Sequence, residues 1–363
     1  MTRRLISAAA LAAAVTVSVA LTTTGAASAS PQHQGHHPAS PHGVTQTNLV
    51  SDQAGKAQLT DPNLVNAWGL SRGPNTPLWV SNAGTMTSTL YNGAVNGSPA
   101  AALPLVVKIP GGPVTGQVFN SSTGFAVPGT TTPASFLFAT VGGTIAAWTG
   151  ASGTQAVTAA TVPGAAYTGL TLASSPFGPL LLAADFHDNR IDVFNSSFQK
   201  LDVSGLFKDP SVPRNYAPFN VQVLGDSVYV TYAQQDAAKQ FDVPGAGHGF
   251  VDKFTSYGTL VKRIASRGEL DSPWGLVVAP ASFGRFSGDL LVGNFGNGTI
   301  HAFDPATGRF AGTLTDTNGR TLRIDKLWGL ITGDAVAGGP NSIWFSAGPD
   351  QETHGLLGIL TAK

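Results

Sequence analysis

Short runs of apolar and β-branched residues recur along the chain: "PLWVSN" (77–82), "FLFAT" (136–140), "LLLAAD" (180–185), "SVYVTY" (227–232), "DLLVGN" (289–294) and "SIWFSA" (342–347). Each is too short for a helix and is bounded by Gly, Asn or Pro, which predicts strands. A further strand-like run follows each, such as "NRIDVFNSS" or "GTIHAFDPATG", and in most cases another comes after it, as in "FQKLDVSG" and "TLVKRIASRG". Ahead of each stands a related run: "NAWGL", "VTGQVF", "YTGLTL", "APFNVQV", "SPWGL" and "KLWGL". The shared position falls at Gly69, Gly116, Gly169, Asn220, Gly275 and Gly329, a spacing of about fifty residues that marks a repeat architecture.

Six units of four short strands predict an all-β fold, a six-bladed β-propeller over residues 45–363. The sixth unit reaches Lys363 after its third strand, while an orphan strand, "VTQTNLVSD" (44–52), precedes the first unit. That strand is expected to join the last blade, closing the ring and covering an exposed sheet edge. Glycine at the shared position suits a first strand crowded against its neighbours around a central channel. Trp68, Trp274 and Trp328 are then expected to be core residues filling the wedge between blades.

Residues 1–29 carry Arg3 and Arg4, an apolar run from Leu5 to Leu21 and the triplet Ala27-Ser28-Ala29, the pattern of a secretory signal peptide. Residues 30–44, rich in Pro, Ser and His, read as a flexible leader. The chain holds 20 basic and 20 acidic residues, and losing Arg3 and Arg4 would leave a slight acidic excess. Such a balance excludes nucleic acid as the expected partner. No second run approaches membrane-spanning length, so the mature chain is expected to be extracellular, unanchored and monomeric. Charged residues make up 11% against roughly 25% in ordinary soluble proteins. With no cysteine, disulfides, thiol nucleophiles and thiolate metal sites are excluded.

The ends of the six second strands, Asn82, Thr140, Asp185, Tyr232, Asn294 and Ala347, should form a ring on the face that carries the loops leading into each blade. Function resides in such loops, not in the fold itself. On this face a ligand-binding rim is expected from Asn82, Asp185, His187, Tyr232, His248, Asn294, Asp350, Glu352 and His354. His301, inside a strand, reads as a packed or edge residue. Oxygen-bearing side chains nearest the axis, Asn66, Asp185, Asn220 and Asn294, are candidates for holding a divalent cation such as calcium. No HExxH, GxSxG or EF-hand spacing is present, and the order of residues singles out no catalytic nucleophile.

The runs "TNLVSDQAGKAQLTDPNLVNAWGL", "AADFHDNRIDVF", "SPWGLVVAPASFG", "GDLLVGNFGNGTIHAFDPATG" and "AGPDQETHGLLGIL" resemble an uncharacterised family of secreted bacterial propeller proteins, some of which end in a PEP-type sorting tail. The resemblance spans almost all of residues 45–363. It implies the propeller fold and export, and carries no activity. More distantly the blades are similar to NHL-type propellers and to gluconolactonase-like lactonases. Two functions are therefore expected to compete. One is capture of an extracellular ligand or protein on the rim; the other is metal-dependent hydrolysis at the channel mouth.

Overall fold

A computed structural model describes residues 43–363 apart from Asn75. The expected signal peptide and nearly all of the leader lie outside the described residues. Six antiparallel sheets surround a central channel, and the six-bladed propeller is the fold. The innermost strands are Ala67–Ser71, Val114–Phe119, Tyr167–Ser175, Tyr216–Leu224, Pro273–Val278 and Leu327–Thr332, one per blade. The second, third and fourth strands follow outward in chain order in blades one to five. The fourth strand of blade three is reduced to Lys200–Leu201.

Closure occurs as the sequence predicts. The strand Val44–Ser51 pairs antiparallel with Leu356–Ala362, the third strand of blade six, from Val44 opposite Ala362 to Ser51 opposite Leu356. A short segment, Leu59–Thr60, then adds in parallel outside it, an addition with no clear signature in the sequence. The closing strand buries Leu49 and Val50 almost completely. Among the described residues no helix is long and apolar enough to cross a membrane.

Around the channel the first strands lie so close that a side chain cannot fit between them. A β-carbon at Gly275 would sit 2.6 Å from the Trp328 carbonyl oxygen, and one at Gly329 would sit 2.7 Å from that of Trp68. Neighbouring first strands form no ladder with one another, so their inward carbonyls need other partners. Side chains of the adjacent blade supply them. Gln117 Nε2 donates to Gly69 O (2.9 Å), Thr115 Oγ1 to Tyr167 O (2.7 Å), and Ser346 Oγ to Trp68 O.

In every blade the pairing between first and second strand slips near this glycine position. A bulge at that point turns one side chain out of the alternation. Its occupants include Trp68, Trp274 and Trp328, so these rings meet one another over the channel instead of filling the wedges between blades. They are core residues, as expected, in a different place from the one expected.

Removal of the closing strand tests the ring. Burial of Leu49 and Val50 alone contributes about 3–6 kcal/mol, comparable with the whole stability of many domains. Deleting residues 44–51 should abolish cooperative thermal unfolding, followed by near-ultraviolet circular dichroism. An unchanged melting temperature would rule out closure by this strand.

Candidate functional site

The loop-bearing end of the channel is plugged by aromatic rings. Trp68 and Trp328 stack with centroids 3.5 Å apart, Phe295 stacks on the other side of Trp328 at 4.0 Å, and Trp274 meets Trp328 edge-on at 5.7 Å. Phe219 of blade four joins them. Trp274 Nε1 donates across the channel to the Thr168 carbonyl of blade three (3.0 Å). Asn66 holds the rest together: its Oδ1 accepts from both Trp68 Nε1 (2.9 Å) and Trp328 Nε1 (3.1 Å), and its Nδ2 donates to Glu352 Oε2 (2.9 Å). Below the plug, toward the opposite face, the channel retains a cavity of about 150 Å³ lined by first-strand residues such as Gln117 and Gln222.

Over the plug lies an insertion between the second and third strands of blade four, which end at Gln234 and restart at Gly249. It folds back through a bridge between Gln235 and Asp242. One end is pinned to blade three by Gln235 Nε2 on Phe186 O (2.5 Å), and the other to blade five by the Gly245 amide on Asp271 Oδ1 (2.8 Å). His248, expected on the rim as a binding residue, braces this insertion through Nδ1 on Val243 O (2.8 Å).

The insertion brings Asp242 to Ser272, Lys326 and Glu352. Burial pushes the Asp242 carboxyl up to about 6, with the Glu352 charge adding to it and Ser272 and Lys326 opposing. Burial also raises Glu352, against the Asn66 hydrogen bond and the Lys326 charge. Lys326 Nζ lies 4.3 Å from the Phe295 ring centroid, a cation–π contact at the edge of the plug.

The segment Asp350–Glu352 carries three consecutive left-handed residues, with φ of 57°, 56° and 67°. Each such residue costs roughly 1–2 kcal/mol. The strained turn faces Glu352 inward to Asn66, leaves Asp350 exposed, and leads to His354, whose Nδ1 meets Asp52 Oδ2 at 2.7 Å beside the closing strand. His187 pairs with Asp188 Oδ1 (2.9 Å) and stays partly exposed. His301 is buried between Thr299 and Thr313, and burial with the nearby Arg323 lowers it to about 4, so it is neutral at pH 7.

The expected ring of second-strand ends is buried and acts largely as bracing. Asn82 Nδ2 donates to Thr87 and Thr89 hydroxyls, Thr140 Oγ1 to Gly111 O, and Asn294 Nδ2 to Glu269 O. Asp185 Oδ1 accepts from the Ala166 and Asp188 amides, while Oδ2 faces Arg190 Nη2 at 3.2 Å. Asn220 uses its amide to replace the missing glycine contact, donating to Trp274 O (2.8 Å) and accepting from its neighbour Val221 N (2.8 Å). The four cation candidates thus share no hydrogen-bonding partner. Among the described residues no group of three or more His, Asp or Glu is arranged to hold a metal.

A large cleft opens on the same face between blades three and four. It measures about 1030 Å³, at the upper end of the range typical of small-molecule sites. Asp188, Arg190, Arg214, Tyr232 and Lys239 line its loop-bearing side, and the segment from Leu201 to Val212 forms its outer wall. Of the expected rim residues, only Tyr232 lines this cleft. Lys208, Arg214 and Lys239 escape a reading of the sequence because each is an ordinary loop cation until the fold sets it beside the others. Asp242 and Lys326 are missed for the same reason: contacts across three blades leave no local spacing.

The geometry defines a six-bladed propeller with a plugged channel and a rim cleft. No family model matches the chain. It is 33% identical over 322 residues to the uncharacterised protein R648 of Acanthamoeba polyphaga mimivirus, covering 86% of this chain and 78% of that protein. The chain belongs to the family of that protein. A second mimivirus protein, L690, also uncharacterised, is 37% identical over 201 residues, 53% of this chain and 51% of its own length. These relatives are viral, so the kinship does not carry the bacterial origin expected from the resemblance. Among solved structures, a streptogramin B lyase superposes with a TM-score of 0.50 at 10% identity, over 88% of this chain and 97% of that one. A protein of unknown function from Bacteroides thetaiotaomicron gives 0.52 at 13%, over 87% and 76%. At such identities the likeness is one of fold.

Two substitutions test this architecture. Trp274→Ala should destabilise by about 3–5 kcal/mol in denaturant unfolding, as large core truncations do; a loss below about 1 kcal/mol would remove the plug as a core element. Asp242→Asn addresses the buried carboxyl. Its folded value of about 6 lies above the ordinary 3.8, so the fold loses stability as pH rises from 4 through 6. The variant should match the parent at pH 4 and exceed it by about 1–2 kcal/mol at pH 7, after allowing for partial exposure. Equal stability at both values would show that Asp242 is not buried at Lys326 and Glu352.

Proposed function

We propose that this chain is a secreted binding propeller that captures an extracellular ligand in the cleft between blades three and four on its loop-bearing face. The observation that carries this reading is the placement of open space. The axial mouth, where a metal-dependent hydrolase would work, is occupied by Trp68, Trp274 and Trp328 and covered by the insertion of blade four. The cleft lies beside it, is large enough for a small molecule, and contains polar and apolar walls. The run Leu5–Leu21 with Ala27-Ser28-Ala29 supports export, as does the resemblance to secreted bacterial propellers. The near balance of charge supports a partner other than nucleic acid.

Thermal-shift measurements with soluble cell-wall saccharides and small organic acids test the binding reading. At least one should raise the melting temperature of the parent, and Leu206→Trp, which fills the cleft from an exposed wall position, should remove the response. A response unchanged in Leu206→Trp would place binding elsewhere. Elemental analysis addresses the competing hydrolase: stoichiometric calcium that disappears in Asp185→Asn, together with lactone hydrolysis, would displace the binding reading. Protein recovered from the medium of an expressing bacterium should begin at Ser30 by intact mass; retention of residues 1–29 in the cell would overturn export.

A further inference from the structure

We infer that the cleft between blades three and four is an oxyanion site, taking a small molecule with a phosphate or carboxylate group on an apolar body; this rests on the binding reading above. Several charges in the cleft are already matched. Arg190 bridges Asp185, Asp188 and Asp192, and Lys200 reaches the same Asp192 at 2.8 Å. Asp192 also accepts from the buried Tyr167 hydroxyl (2.8 Å). Asp209 and the buried Asp252 share Arg263. What remains on the lining is uneven. Among the described residues, Lys208, Arg214 and Lys239 have no carboxylate within ion-pair distance, against Asp202 alone on the acidic side.

These three cations come from different segments. Lys208 lies on the long connection leaving blade three, Arg214 on the loop entering blade four, and Lys239 on the blade-four insertion. A concave site with an excess of one sign of unmatched charge and low-dielectric walls concentrates the field and attracts the opposite charge. Arg214 adds a planar fork suited to two oxygens of a carboxylate or phosphate. Tyr232 lines the same cleft. It is 3% exposed, and its hydroxyl, beside the Asp252 carboxyl, makes no hydrogen bond of ordinary geometry. Buried hydroxyls are nearly always paired, and a turn away from Asp252 would let this one donate to a ligand oxygen instead. Burial, reinforced by the Asp252 charge, holds the phenol well above its usual value, so it remains a neutral donor at pH 7. Leu201, Val203, Leu206 and Val212 supply the apolar wall that a body attached to the anion would cover.

Amide spectra of the 15N-labelled protein test the inference when titrated with sodium pyrophosphate, with citrate and with the neutral disaccharide trehalose at matched ionic strength. Pyrophosphate or citrate should move the amides of residues 188–192 and 201–214. The triple variant Lys208→Gln, Arg214→Gln, Lys239→Gln should weaken the apparent affinity roughly tenfold. Tyr232→Phe should weaken it less than the triple variant does. A response to pyrophosphate alone assigns a phosphate, and one to citrate alone a carboxylate. Movement with trehalose alone would overturn the oxyanion site and leave the binding reading standing. Movement that persists unchanged in the triple variant, or no movement with any of the three, would also overturn it. The Leu206→Trp thermal shift then decides the broader reading separately.

Discussion

The constraint on which the rest of this structure depends is the crowding of six first strands around one axis. They approach so closely that five of the six equivalent positions are glycine, and the sixth, Asn220, spans to the next blade with its own amide. Because these strands do not pair with one another, their carbonyls are satisfied by side chains such as Gln117, Thr115 and Ser346 reaching from adjacent blades. An unpaired buried carbonyl is costly. Each blade therefore completes its neighbour, and the ring is one cooperative object.

The bulge repeated in each first strand converts that crowding into a closed axis. It directs Trp68, Trp274 and Trp328 over the channel, where their indole N–H groups need acceptors. Asn66 and the Thr168 carbonyl provide them. Asn66 in turn depends on Glu352, held in place by a left-handed turn, and Glu352 sits in the field of Asp242 and Lys326. Polar residues near the axis are thus committed to supporting the plug. With the axis shut, space for a ligand lies at the side, where the reduced fourth strand of blade three and its long connection to blade four leave a cleft.

Membership in the family of a mimivirus protein without an assigned activity gives this architecture relatives but no chemistry. Two sites differ in kind. Around Asn66, Asp242 and Glu352 polar groups are buried beside one another, which makes the packing of the blade-four insertion weaken as pH rises. In the blade-three cleft the cations are exposed and unmatched, which suits recognition from solution.

The sequence by itself determined the six blades, the position of nearly every second strand and the closure by residues 44–52, because repeats, turn residues and alternating strands are local or periodic signals. The second strands end where expected at Asn82, Thr140, Asp185, Asn294 and Ala347, and run two residues past Tyr232 only in blade four. The loop-bearing face was also legible, since equivalent loops of rotated blades must emerge together. Tertiary structure alone decided that the tryptophans meet on the axis, since a bulge reverses the direction that simple alternation assigns. It also decided that Asn66 and Asn220 brace the core. The cleft that joins Lys208, Arg214, Tyr232 and Lys239 lies between blades, and the packing of one blade against the next leaves no periodic trace in the chain.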